Sequence, residues 1–394
     1  MPPPLTQGRG VIGLLGYGAF TLIGWSGLLV PSLIRSIEHD FAQTDAGLGL
    51  FYFVSAVLYA SGSLVGGLLT ERLGRRTVLG LAVLLHGVGL VALAVAPSWP
   101  LFLLAALPSN LGAGAIDGGV NGLFLDVYRT GRARALSKLH LFFALGALIA
   151  PLVVGRLVDA GVPWQAVLVA TAVPALAAAV GFAIADVPSG RHAGEVRASI
   201  GLRLPLVLLA FAVGFYVAAE VGVSAWLVRF LEAAPLSLAT GALSLFWAGL
   251  MVGRLVTARF GDRWDHRRFA MVATAGASTA LVLAVVVPSL PVSIVLFGVV
   301  GFAFGPIYPM IMAVAGDRFP DRSAAVGGFL AACAVAGAIL YPPVMGFLSV
   351  VVNLGVAMLG AAALGIGCAG ALLLIGRSNA AQRVTLTASN EERQ

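Results

Sequence analysis

The chain has 394 residues, 59% of them hydrophobic and only 10% charged, against about 25% charged in a soluble domain. Such a composition cannot cover a water-facing surface, so it excludes a soluble globular protein and predicts an all-α protein embedded in a bilayer. The net charge of +7 reads as loop charge on one side of a membrane, and no nucleic-acid partner is expected.

A membrane-crossing helix needs about 20 mostly apolar residues. Twelve stretches qualify: 11–34, 46–69, 77–96, 101–125, 136–158, 165–186, 204–228, 238–258, 269–288, 292–315, 323–348 and 352–376. The first is long enough to span and reads as a retained helix, not a cleaved leader. Arg and Lys concentrate in alternate loops: Arg72, Arg75 and Arg76; Arg129, Arg132, Arg134 and Lys138; Arg191, Arg197 and Arg203; Arg259, Arg263, Arg267 and Arg268; Arg318 and Arg322. The opposite loops and helix ends hold only Arg35, Arg156 and Arg229. That asymmetry predicts a multi-pass protein of the plasma (inner) membrane with both termini cytoplasmic. The longest polar interruption, 187–203, divides an N-terminal six-helix bundle, 1–186, from a C-terminal one, 204–376, with a cytoplasmic tail at 377–394.

The halves read as repeats. Gly66-Gly-Leu-Leu-Thr-Glu-Arg-Leu-Gly-Arg-Arg76 and Gly253-Arg-Leu-Val-Thr-Ala-Arg-Phe-Gly-Asp-Arg263 share six of eleven residues at an offset of 187. Gly146, Ala147, Pro151, Gly155, Leu157 and Asp126 match Gly337, Ala338, Pro342, Gly346, Leu348 and Asp317 at an offset of 191. Parallel six-helix repeats are the sequence sign of a carrier whose halves rock about a central site.

Within the fourth span Asp117 and Asn121 stand four residues apart, on one helix face. A carboxylate at the centre of a bilayer costs about 3 kcal/mol on insertion scales and is functional by default. It needs a water-filled cavity, a partner or a proton, and a desolvated carboxyl in general can load and release protons near neutral pH. Asn121 offers a donor and an acceptor to a hydroxylated solute, or to a neighbouring helix. In the seventh span Tyr216, Glu220 and Ser224 form a polar stripe, which suits a cavity wall or, for Glu220, an outer gate. Tyr308 corresponds to Asp117 at the offset of 191 and lies between Pro306 and Pro309, where an irregular helix frees backbone groups. His140 is a candidate relay or a histidine bonded to a backbone carbonyl; His86, in the third span, is the weaker candidate. Cys333 and Cys368 fall in apolar spans, and neither a metal motif nor a Gly-x4-Gly-Lys-Ser/Thr loop is present, so no metal, cofactor or enzymatic activity is expected.

The loop Gly67-x3-Glu71-Arg72-x-Gly74-Arg75-Arg76-x2-Leu79 resembles the signature of the major facilitator superfamily, and the likeness extends over nearly the whole chain. It implies twelve transmembrane helices in two pseudo-symmetric bundles. It also implies a gating role for Gly67, Glu71, Arg72, Gly74, Arg75 and Arg76, with Asp126 as the acid an Arg pairs with. The second copy departs, with Ala258 where Glu71 would be. A finer resemblance, to the fucose–proton symporter and sodium-dependent glucose transporter-like group, rests on five stretches. They are Asp117-Gly-Gly-Val-Asn121, Leu139-His140 with Phe143 to Ala147 and Pro151, Gly305-Pro-Ile-Tyr-Pro309, Glu220 with Trp226, and Trp247 with Gly253-Arg254. It ties the span-four pair to proton coupling, whereas residues 17–31 hold no acid where the fucose permease pattern has one.

The expectation is therefore a secondary active transporter that moves a small polar solute, a sugar among the candidates, by proton-coupled alternating access. The coupling ion is the proton, carried by Asp117 and Glu220, with sodium as the alternative. Asn121, Tyr216, Trp247, Tyr308 and His140 are the solute-binding candidates, and the chain is expected to work as a monomer. The competing readings are proton-antiport efflux of amphipathic compounds and a non-transporting membrane sensor.

Overall fold

The computed structural model describes residues 6–128, 132–187 and 203–391, and leaves the side chains of 6–9, 132, 133, 377–391 and of Glu71, Asp262 and Ala324 undescribed. Most of the linker expected at 187–203, with Arg191 and Arg197, lies outside the described residues, as does Arg129. Twelve helices among the described residues are long and apolar enough to cross a membrane, one for each stretch named above. They are broken helix α1–α2 (Thr6–Gly27 and Leu29–Phe41), α3 (Asp45–Leu73), α4 (Arg75–Val95), α5 (Trp99–Val127), α6 (Arg132–Asp159) and α7 (Trp164–Ile184). There follow α8 (Leu204–Phe230), α9 (Leu236–Phe260), α10 (His266–Val286), broken helix α11–α12 (Leu290–Phe304 and Ile307–Arg318), α13 (Ser323–Val351) and α14 (Leu354–Glu391). The outward faces are those of a lipid-solvated protein: Leu14, Leu64, Val272 and Ile184 are each more than 70% exposed, which water would not tolerate in such numbers.

By packing, the chain forms two units: Met1–Gly194 with Ala225–Trp247, and Glu195–Ser224 with Ala248–Gln394. The second half of α8 and the first half of α9 thus pack with the N-terminal helices, across the boundary expected between the bundles. In the first unit α3 and α4 flank α5, α4 meets α7, and α1 meets α6. In the second, α10 packs on α14, α11 and α12.

Small residues set these approaches. Gly146 and Gly337, one repeat apart, do the same thing. A Cβ on either would stand 2.2 Å from a carbonyl oxygen of the facing helix, that of Thr21 or of Gly214. Only glycine permits backbones that close, which is how helices associate without a hydrophobic drive between them. The repeat is therefore legible as packing as well as sequence. At the end of α3, Gly74 takes φ +80°, a conformation in which a side chain would be strained, and the turn starts α4 directly. It delivers Arg75, whose Nη1 bonds Asp126 Oδ2 at 2.7 Å. Span ten breaks at Gly305–Pro306, since Pro306 has no N–H to continue α11. The α14 helix runs on to Glu391 through the region expected as a polar tail.

Candidate functional site

The first unit holds a polar cluster on α5 and α3. Asn121 Nδ2 donates to Asp117 Oδ1 at 2.9 Å and to the Asp117 carbonyl at 3.0 Å. The Tyr59 hydroxyl is hydrogen-bonded to the same carboxyl. Gly114 makes this possible: a Cβ there would stand 1.9 Å from the Tyr59 carbonyl oxygen, so α3 and α5 touch one turn from Asp117. Asp117, Asn121 and Tyr59 are all half-buried. Among the described residues no cation pairs with Asp117. Among those residues the carboxyl is held by neutral donors alone, Tyr59 and Asn121.

The second unit holds a different cluster, on α8, α9 and α12. The Tyr216 hydroxyl donates to Glu220 Oε2, one turn along α8, and the Tyr216 ring packs edge-on to Phe304 at 5.8 Å. The other Glu220 oxygen lies 3.7 Å from Arg254 Nη2. Tyr308, half-buried on α12, is close enough to interact electrostatically with Arg254. Tyr216, Glu220 and Ser224 are buried together along one face of α8, as their spacing predicts.

The remaining candidates fall elsewhere. Trp247 is buried in the first unit with its ring 6.3 Å from that of Phe143 on α6. His140, exposed, edges the Phe20 ring at 5.5 Å. Both belong to the packing around α1 and α6. His86 is buried between Ser109 O, 2.9 Å from Nδ1, and Ser26 Oγ, 3.0 Å from Nε2, which makes it a tie between α1, α4 and α5. In the loop motif Gly67 and Arg72 are exposed, Arg76 donates to the Ala183 carbonyl, and the Glu71 side chain is outside those described. The repeat partner of the Arg75–Asp126 pair is His266–Asp317, Nδ1 to Oδ2 at 2.8 Å, at the same separation of 51 residues.

Two site residues escaped the sequence reading. Tyr59 gives no signal of its own, because an aromatic residue in an apolar span is ordinary. Arg254 did give one. A guanidinium inside a membrane helix is as costly as the acid at 117 and invites the same question.

The Major Facilitator Superfamily pattern matches residues 14–277 and again 233–392. Sodium-dependent glucose transporter 1A of Mus musculus is 26% identical over 136 residues, and the chain spans only 32% of that relative's length. The glucose/mannose transporter GlcP of Bacillus subtilis is 23% identical over 352 residues, 83% of this chain and 85% of that one. Among solved structures, a bacterial homolog to the human lysosomal transporter Spinster, in its inward-facing and unoccupied conformation, superposes with a TM-score of 0.77. That match has 17% identity and covers 96% of this chain and 98% of the other, a likeness of fold. With twelve spans, a duplicated loop motif and a family match over both halves, this chain belongs to the Major Facilitator Superfamily of membrane transporters.

Proposed function

We propose that the chain is a proton-coupled secondary transporter of a small polar solute, with sugars the first class to test, and that its Arg-rich face is cytoplasmic. The observation that carries this reading is the state of Asp117. It is a half-buried intramembrane carboxyl held by Tyr59 and Asn121 and matched by no cation among the described residues. Leaving such a group charged in a low dielectric is expensive, and taking up a proton removes the expense. Glu220, with Arg254 at 3.7 Å, has less need of one. The names of the mouse and Bacillus relatives support a sugar. In this scheme Asn121, beside Asp117, contacts the solute, and the Arg75–Asp126 tie and its loop bias the exchange between open states.

The test is uptake into proteoliposomes. Labelled glucose should accumulate when the outside is acid, and a protonophore should abolish the accumulation. Accumulation that follows a sodium gradient and ignores pH would transfer the coupling to sodium. Absence of any solute flux would leave a sensor. Orientation has its own check, in a background lacking Cys333 and Cys368. Cysteines at Ser98, Ser289 or Asn353 should react with an impermeant thiol reagent on intact cells, and cysteines at Thr77 or Arg268 should not. The reverse pattern would invert the topology.

A further inference from the structure

Arg254 sits six residues before the end of α9, on the Arg-rich side of the span. An arginine so close to a membrane surface would ordinarily snorkel outward and leave its head in water. This one turns inward, to Glu220, a residue sixteen positions from the Arg-rich end of α8. The backbone beneath it is fixed. A Cβ at Gly253 would stand 2.2 Å from the Phe302 carbonyl oxygen, so α9 is pressed against α11 just before the break at Gly305–Pro306, and Tyr308 follows that break.

The pair is unequal. The Glu220 side chain is 10% exposed and that of Arg254 39% exposed. Glu220 has a hydrogen bond from Tyr216. Arg254 stands 3.7 Å from it, too far for a hydrogen bond, and among the described residues its guanidinium makes none. Five N–H donors in a planar fork are thus held in an apolar helix, half open, beside one carboxylate that pairs with them by charge and accepts no hydrogen bond from them. Open donors on a charged group can take up an anionic ligand, and the fork matches a carboxylate in two parallel bonds.

We propose that Arg254 is the anion-recognition residue of the transport site. The solute carries a carboxylate that seats on this guanidinium beside the Tyr308 hydroxyl, and Glu220 is the internal rival that holds Arg254 in the empty protein. The proposal rests on the transporter reading above and narrows its solute from polar to anionic.

Binding to the purified full-length protein in nanodiscs tests it, with three matched probes: glucuronate against glucose, lactate against propane-1,2-diol, and benzoate against benzyl alcohol. For whichever scaffold binds, the acid should bind at least about tenfold more tightly than its neutral partner, the scale expected for a desolvated charge pair. Arg254→Gln should erase that preference, and Arg254→Lys should restore part of it, as a point charge without the fork. Glu220→Gln should strengthen acid binding by removing the rival, which keeps the test decisive even if Arg254→Gln does not fold. Equal or better binding of the neutral members, an acid preference that survives Arg254→Gln, or binding of none of the acids would overturn the proposal. Glucose that accumulates under a pH gradient while no acid binds would sink the anion site and leave the transporter standing. Acids that bind with Arg254 dependence but never cross the bilayer would do the opposite.

Discussion

Replacing Asp117 with Asn should abolish gradient-driven accumulation while leaving solute binding and solute exchange in place. The substitution keeps the size of the side chain and its capacity to bond Tyr59 and Asn121, and removes only the titratable group. One proton moved per solute across a pH step of one unit is worth about 1.4 kcal/mol, an accumulation ratio of about ten. The variant should reach a ratio of about one, set by passive equilibration. Counterflow, which needs binding and reorientation but no net proton movement, should persist. Glu220→Gln is the comparison, because Glu220 already has Arg254 at 3.7 Å as a counter-charge. If the Asn variant still concentrates solute as the wild type does while the Gln variant cannot, the proton belongs to Glu220. If both variants concentrate solute normally, no intramembrane acid carries the coupling.

Much of this architecture is legible in the sequence because a bilayer allows so few solutions. Nearly every backbone polar group in a span must be bonded within its helix, so an apolar run of sufficient length is helical, and the twelve runs are twelve helical spans among the described residues, two of them broken. The bond between Asp117 and Asn121, and that between Tyr216 and Glu220, follow from a spacing of four residues on one helix. The contact of Tyr59 with Asp117 does not, since it depends on how closely α3 and α5 approach at Gly114. Arg254 is legible in principle, because a guanidinium inside a membrane helix is as costly as a carboxylate there, but its partner Glu220 on another helix is not marked by any spacing. The break at Pro306 was readable from proline chemistry. The packing of Ala225–Trp247 with the N-terminal helices was not. Its hydrogen-bonding partners lie between 78 and 199 residues away, and most of the acceptors are backbone carbonyls, which every residue carries and no sequence pattern marks.

That packing supplies the other large expected effect: removing Arg35 and Arg229 together should release the Ala225–Trp247 segment from the first unit. Arg35, on α2, donates through Nε and Nη2 to the Val228 carbonyl at 3.1 and 2.8 Å, through Nη1 to the Ala234 carbonyl at 2.8 Å, and to the Leu231 carbonyl. These carbonyls belong to the last turn of α8 and the bend after it. Helix-end carbonyls lack partners within their own helix and carry the negative end of its dipole, so a guanidinium there satisfies several at once. Arg229, on the same turn, reaches back with Nε 3.0 Å from Glu38 Oε2 and 3.0 Å from Asp45 Oδ1. Further along, the Asp159 carboxylate accepts from the Ser237 N–H at 3.0 Å, at the start of α9. A hydrogen bond to a charged group contributes about 1.5–3 kcal/mol. The half-exposed setting reduces the sum, so roughly 1–3 kcal/mol for the two arginines together is the reasonable scale. The equilibrium between held and released segment should then shift by roughly five- to 160-fold. Thr240, fully buried in this packing, gives the readout as Thr240→Cys in a background without Cys333 and Cys368. Its thiol should react slowly in the parent and at least about fivefold faster after Arg35→Ala with Arg229→Ala. Glu232→Ala removes only a 64% exposed partner of Arg229 and should change the rate little. If the double variant leaves Thr240→Cys as protected as before, the segment is held by apolar contacts such as those of Trp226 and Phe246, and the arginines merely decorate it.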